Sequence, residues 1–204
     1  MTRAIILLPL VLLAACDSKA DVKLANASVA EVATKVAETQ RGEAFIRPGK
    51  WKVSGSVDEI VIPGMPAGMA DSMKRQGQMM PGAESCITEA DVKKPGPDFF
   101  SGNKSCRYDN FTMGGGKIEA RMRCASGGHT QVTTMTGTYA PESYRMAMAT
   151  AMETKGGAKP TGMEAMTMKL RIDGKRIGDC TTAEYAASAK ARAEAVAAMK
   201  RAAQ

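Results

Sequence analysis

Alternating apolar and polar runs, cut by Gly- and Pro-rich turns, predict a mainly β protein. The expected architecture is an antiparallel sheet of hairpins, either a curved sheet or a partial barrel, with peripheral helices. Three observations carry this. Residues 51–57 alternate Trp51, Val53 and Val57 with Lys52, Ser54 and Ser56. Residues 106–124 and 129–153 each read as two strand-like runs around a turn. The two helix-capping boxes, at Ser28 and Thr181, lie on the flanks of this β region.

The elements follow in chain order. Thr2-Arg3 and the apolar run to Leu13 form a charged region and a hydrophobic region, and Leu13-Ala14-Ala15 precedes Cys16. That pattern is a signal peptide over 1–15. Its apolar run is too short for the roughly 20 residues that cross a bilayer. Cysteine after Leu-Ala-Ala resembles the bacterial lipobox, which implies an acylated Cys16 at the mature N-terminus. Residues 16–44 are polar and Ala-rich and are expected to be a tether. Within it, Ser28 and Glu31 cap a short helix over 29–40 whose Val29, Val32 and Val36 share a face.

The folded domain is expected over 45–180. A strand carries Trp51, Val53 and Val57 inward, and the switch of apolar parity to Ile60 and Ile62 requires a bulge near Asp58-Glu59. Pro63-Gly64-Met65-Pro66 ends it. Short helices follow at 67–76 and, capped by Thr88, at 89–93.

If Gly114-Gly115-Gly116 is the loop of the next hairpin, Met113 faces Lys117, Tyr108 faces Met122 and Cys106 faces Cys124. Arg107, Asp109 and Phe111 then lie on the reverse, charged side. The following hairpin turns at Ala140-Pro141-Glu142-Ser143 and pairs Tyr139 with Tyr144, Met135 with Met148, and Thr133 with Thr150. A strand over 163–172 is expected to turn at Asp173-Gly174, placing Leu170 opposite Ile177. Thr181 and Glu184 cap a basic, Ala-rich helix in the 181–204 segment.

Once Cys16 is set aside, Cys86, Cys106, Cys124 and Cys180 form an even set suited to an oxidising compartment. The hairpin register pairs Cys106 with Cys124, which leaves Cys86 for Cys180. Arg47-Pro48-Gly49-x-Trp51, Pro63-Gly64-Met65-Pro66, Cys86-Ile87-Thr88, Cys106 before a Gly-rich hairpin, Cys124 and Gly178-Asp179-Cys180 occur in that order. Together, from about Phe45 to Cys180, they resemble the bacterial domain-of-unknown-function family 3617, small secreted proteins and lipoproteins. The resemblance implies a compartment, the cell envelope facing the periplasm, with inner or outer membrane left open. It implies no activity and transfers no functional residues.

The net charge is +7, the pI about 9.2, the aromatic content 4%, and there are 16 Met and one Trp. In an exported protein the basic balance does not point to nucleic acid; a solvated basic surface is the plainer reading, and contact with anionic lipid headgroups the sharper one. The expected partners are the bilayer, through acylated Cys16, and an unknown ligand or envelope protein. The expected role is non-enzymatic binding through a Met-rich apolar surface, with no cofactor. The alternative is Cu(I) binding or buffering, since thioethers are soft ligands. Met65, Met69, Met73, Met79 and Met80 are its candidate ligands, whereas Met135, Met146, Met148, Met152, Met166 and Met168 suit strand packing. A hydrolase ranks third. Its only histidine would be His129, beside Gly127-Gly128 and without a nucleophile motif.

Overall fold

The structure, a computed structural model, describes residues 21–39, 45–78, 82–93, 105–126, 129–154 and 165–202. It is an open eight-stranded antiparallel sheet. In chain order the elements are β1 (Val22–Ser28), α1 (Val29–Thr39), β2 (Gly49–Val61), α2 (Ala67–Gln78), β3 (Ala83–Ile87), α3 (Glu89–Lys93), β4 (Cys106–Gly114), β5 (Lys117–Ser126), β6 (His129–Ala140), β7 (Ser143–Thr154), β8 (Thr167–Gly178) and α4 (Thr182–Ala202). The strand order is β1-β4-β5-β6-β7-β8-β2-β3. β4 to β8 form a meander, and β2 and β1 return to its two sides.

The first correction concerns residues 16–44. Val22–Ser28 are not tether but an edge strand, with Val22 opposite Met113 and Leu24 opposite Phe111. The capping box forms as expected: Ser28 N donates to Glu31 at 2.6 Å, and Glu31 N to Ser28 Oγ at 3.2 Å. It turns the chain back so that α1 lies on β1 and β4. Val29, Val32 and Val36 are buried there with Val22, Tyr108, Phe111 and Met122. Each such burial is worth about 1.5–3 kcal/mol, which is why this segment is part of the domain.

The β4–β5 hairpin combines two departures that cancel. Its loop is two residues, Gly115 and Gly116, both at positive φ, so Gly114 faces Lys117 and Met113 faces Ile118. A bulge at Asp109 then restores the expected Tyr108–Met122 and Cys106–Cys124 pairs. It also moves Phe111 off the charged side, where the sequence placed it, into the core opposite Ala120. The bulge near Asp58 forms as expected, between Val57 and Glu59. In both places the extra residue is an Asp, and both serve arginines. Asp58 pairs with Arg171 at 2.7 Å; Asp109 accepts from Arg121 at 3.0 Å and Arg123 at 2.7 Å.

The second correction is at Asp173-Gly174. No turn forms, β8 runs straight through, and Leu170 faces Val57 and Met148 instead of Ile177. Gly174 is needed for close approach: a Cβ there would overlap the Tyr144 ring. That ring in turn stacks on Trp51 at a centroid distance of 5.6 Å. A further strand, β3, pairs along β2 where no strand is expected from sequence. Both disulfides close as expected, Cys86–Cys180 and Cys106–Cys124.

Candidate functional site: an uncharged, methionine-lined sheet face

Residues opposite one another in an antiparallel sheet share a face. Across β6, β7, β8 and β2 the register builds four rows on one face: Tyr139–Tyr144–Gly174–Val53, Gly137–Met146–Ile172–Gly55, Met135–Met148–Leu170–Val57, and Thr133–Thr150–Met168–Ile60. None of these positions is charged. The β hairpin turning at Pro141-Glu142 sets the β6–β7 half, and the Asp58 bulge brings Ile60 onto the same face as Val57.

The glycines in these rows shape the floor. A Cβ at Gly137 would overlap the Met146 sulfur, so Met146 lies across β6. The first row is an aromatic wall, where Phe45 meets Tyr139 edge-on at 5.6 Å and Trp51 stacks on Tyr144. Burial raises the Tyr144 and Tyr139 phenols above their ordinary pKa, as expected beside apolar neighbours. The last row is polar, with Thr133 and Thr150 hydroxyls 3.1 Å apart.

At the two sides of the sheet side chains are fully buried: Val32 and Phe111 under α1, Trp51 and Ile46 beside α3. Between them Met146, Met148, Leu170, Ile172, Val57 and Ile60 are only partly buried. The main helix contacts are α1 on β1 and β4, α2 on β2, and α4 on β3, so among the described residues they reach the four rows at β2 and not at β6, β7 or β8. The opposite sheet face is charged, with Arg145–Asp173, Lys169–Glu59 and Arg123–Glu153 ion pairs at 2.7, 2.7 and 3.0 Å.

The expected residues are distributed as follows. Cys16, Met79 and Met80 lie outside the described residues. Met65 is partly buried, and Met69 and Met73, one turn apart on α2, are exposed. His129 stands at the start of β6, opposite Ser126 and Thr154. Among the described residues, the one gathering of metal-ligand types is Cys86, Cys180 and Glu184, and its two sulfurs are bonded to each other. They offer no thiolate to a metal. Phe45, Trp51 and the Tyr144–Gly174 contact belong to the site but are not recognisable in sequence, where Gly174 reads as a turn residue.

A sequence model of the family described as "Protein of unknown function (DUF3617)" matches residues 46–180. No curated protein and no solved structure matches the chain.

Proposed function

Since the chain belongs to the DUF3617 family, which carries no assigned activity, we propose its function from the sheet: it is a non-enzymatic lipoprotein of the bacterial cell envelope that holds an apolar ligand, or an apolar segment of a partner protein, over the methionine-lined face. The observation that carries this reading is the four-row patch on β6, β7, β8 and β2. It is free of charge, most of its side chains are only partly buried, and the main helix contacts reach it at β2 but not at β6, β7 or β8. Contiguous apolar surface of this kind marks binding sites, and methionine adapts its shape to varied partners. A ligand covering ~300 Å² of apolar surface gains ~7 kcal/mol before the cost of association.

Titration with an environment-sensitive fatty-acid probe tests this reading. Met148→Glu, at the centre of the patch, places a carboxylate under the ligand and should weaken binding at least about tenfold. The same variant should keep its thermal transition near wild type. Equal affinity in wild type and variant would sink the proposal. For the anchor, Cys16→Ser should abolish lipid labelling and membrane fractionation. A labelled, membrane-bound product from that variant would remove lipidation from the reading.

A second reading, Cu(I) binding, is favoured by one observation, the exposure of Met69 and Met73 on successive turns of α2. Saturating Cu(I) should then raise the melting temperature by mass action. Leu at Met65, Met69 and Met73 should abolish that rise, and an unchanged transition in the wild type rejects the reading.

A further inference from the structure

A pocket at the Pro141 turn end of the sheet takes Lys52, Ser54, Thr138, Ser143, Arg145 and Lys175 from the charged face, among others. Lys52 and Lys175 stand directly opposite one another on β2 and β8. Like charges in that relation repel. Cations further along this face carry carboxylate partners: Lys169 has Glu59, Arg171 has Asp58, and Arg121 and Arg123 share Asp109. Among the described residues Lys52 and Lys175 form no ion pair; Glu84 stands opposite Lys52 on β3 but pairs with Lys50 at 3.4 Å. The two acids that line the pocket are already engaged, Asp173 by Arg145 at 2.7 Å and Glu142 by Arg47 at 3.4 Å. The pocket therefore keeps two lysines outside any ion pair, lined also by the Ser54, Thr138 and Ser143 hydroxyls. Lysines acting as point charges, aided by hydroxyl donors, suit a phosphate group.

Where the chain leaves the sheet gives the source of that phosphate. Asp21, just before β1, folds its carboxylate against Gly114. It is also close enough to act electrostatically on the phenol of Tyr139. Tyr139 lines the pocket. Cys16 precedes Asp21 by five positions, a reach of at most about 18 Å even when extended. With residues 22–39 incorporated in the fold, an acyl anchor on Cys16 has no long tether and holds this part of the sheet near the headgroups.

We propose that the Lys52–Lys175 pocket binds the phosphate of an anionic phospholipid headgroup. The choice of a lipid as the source rests on the lipoprotein reading given above. The pocket draws its lysines and hydroxyls from the charged face and borders the first methionine-face row at Tyr139, Tyr144 and Gly174, so the headgroup and an apolar ligand meet at that end of the sheet.

Trp51, the single tryptophan, reports on the pocket because it stacks on Tyr144, which lines it. The purified full chain in neutral detergent is titrated with dihexanoyl-phosphatidylglycerol, dihexanoyl-phosphatidylcholine and inorganic phosphate, and Trp51 emission is read. The expected result is saturable binding of phosphatidylglycerol, about tenfold or more tighter than phosphatidylcholine and weakened by added salt. Lys52→Gln with Lys175→Gln should bring phosphatidylglycerol down to the phosphatidylcholine level. Because the substitution relieves a repulsion, its melting temperature should not fall. Equal affinity for the two lipids, or a double variant that still prefers phosphatidylglycerol, overturns the proposal. Inorganic phosphate binding as tightly as phosphatidylglycerol overturns the headgroup assignment. Intact mass of the same preparation separates this from the anchor: unmodified Cys16 rejects the lipoprotein reading, while the lipid titration alone decides the pocket.

Discussion

At the scale of single residues, Gly174 shows how a small side chain can serve packing instead of turning. Its missing Cβ lets the Tyr144 ring lie on β8 and stack on Trp51. Gly174→Ala should push that ring off its site and destabilise the protein by about 1–3 kcal/mol. Urea unfolding measures this, and a changed near-ultraviolet circular dichroism signal would report the lost stack. Glu184 makes a prediction of a different kind. It accepts from Lys50 Nζ at 2.7 Å and from Thr181 N at 2.8 Å. These partners, Lys50 first, pull its carboxyl from an ordinary 4.5 down to about 2. A depressed carboxylate stabilises the fold fully above its unfolded pKa and loses that contribution as pH falls through the folded value. Melting temperature should therefore drop between about pH 4.5 and pH 2, and Glu184→Gln should flatten that drop. Glu31, held by the Ser28 N–H, is also depressed and contributes in both proteins. Superimposable pH profiles would remove the Lys50–Glu184 contact as a clamp on α4.

At the scale of elements, the N-terminal β1–α1 unit behaves as core although it precedes the stretch that resembles the family. Val32 is fully buried beneath it. Val32→Ala should cost about 2 kcal/mol through lost apolar burial and the cavity left behind. If residues 22–39 were a tether, the same change would leave the denaturant midpoint where it was. α4 has a different role at the opposite side of the sheet. Ser188 Oγ accepts the Cys86 N–H at 3.0 Å, and Lys50 joins Glu84 and Glu184. The helix thereby satisfies a backbone donor of the edge strand β3 that no further strand would reach.

At the scale of the molecule, the two disulfides brace different spans. Cys106–Cys124 links positions 18 apart, within one hairpin, whereas Cys86–Cys180 spans 94 and ties β3 to the segment after β8. In the chain-entropy model these contribute about 3 and about 4.7 kcal/mol. Replacing Cys86 and Cys180 by Ser should therefore lower stability more than replacing Cys106 and Cys124. Paired denaturation curves decide it, and the reverse order would mean that native packing, not chain entropy, sets their worth. The two sheet faces divide the remaining chemistry. One is uncharged and methionine-lined; the other is a lattice of ion pairs interrupted at Lys52 and Lys175.

Much of this fold is written locally. The Ser28 and Thr181 caps, the Pro141-Glu142 turn with its Tyr139–Tyr144 register, and the Asp58 bulge follow from residues within a few positions of one another. The methionine rows were legible for the same reason, since alternation assigns each strand residue to a face. Partner choice across long separations was not. Whether Val22–Ser28 trails as a tether or pairs with β4 depends on Phe111 and Met113, nearly ninety positions away. Whether Asp173-Gly174 turns or runs straight depends on the Tyr144 ring that presses on it. The Cys106–Cys124 pairing could be read correctly through a loop misjudged by one residue, because the Asp109 bulge takes that residue back. Local chemistry fixed the periods, caps and turns of this protein. Tertiary packing alone decided which glycine is a turn, which strand closes the edge, and which apolar face is only partly buried, because those outcomes depend on what lies across the sheet, not on what comes next in the chain.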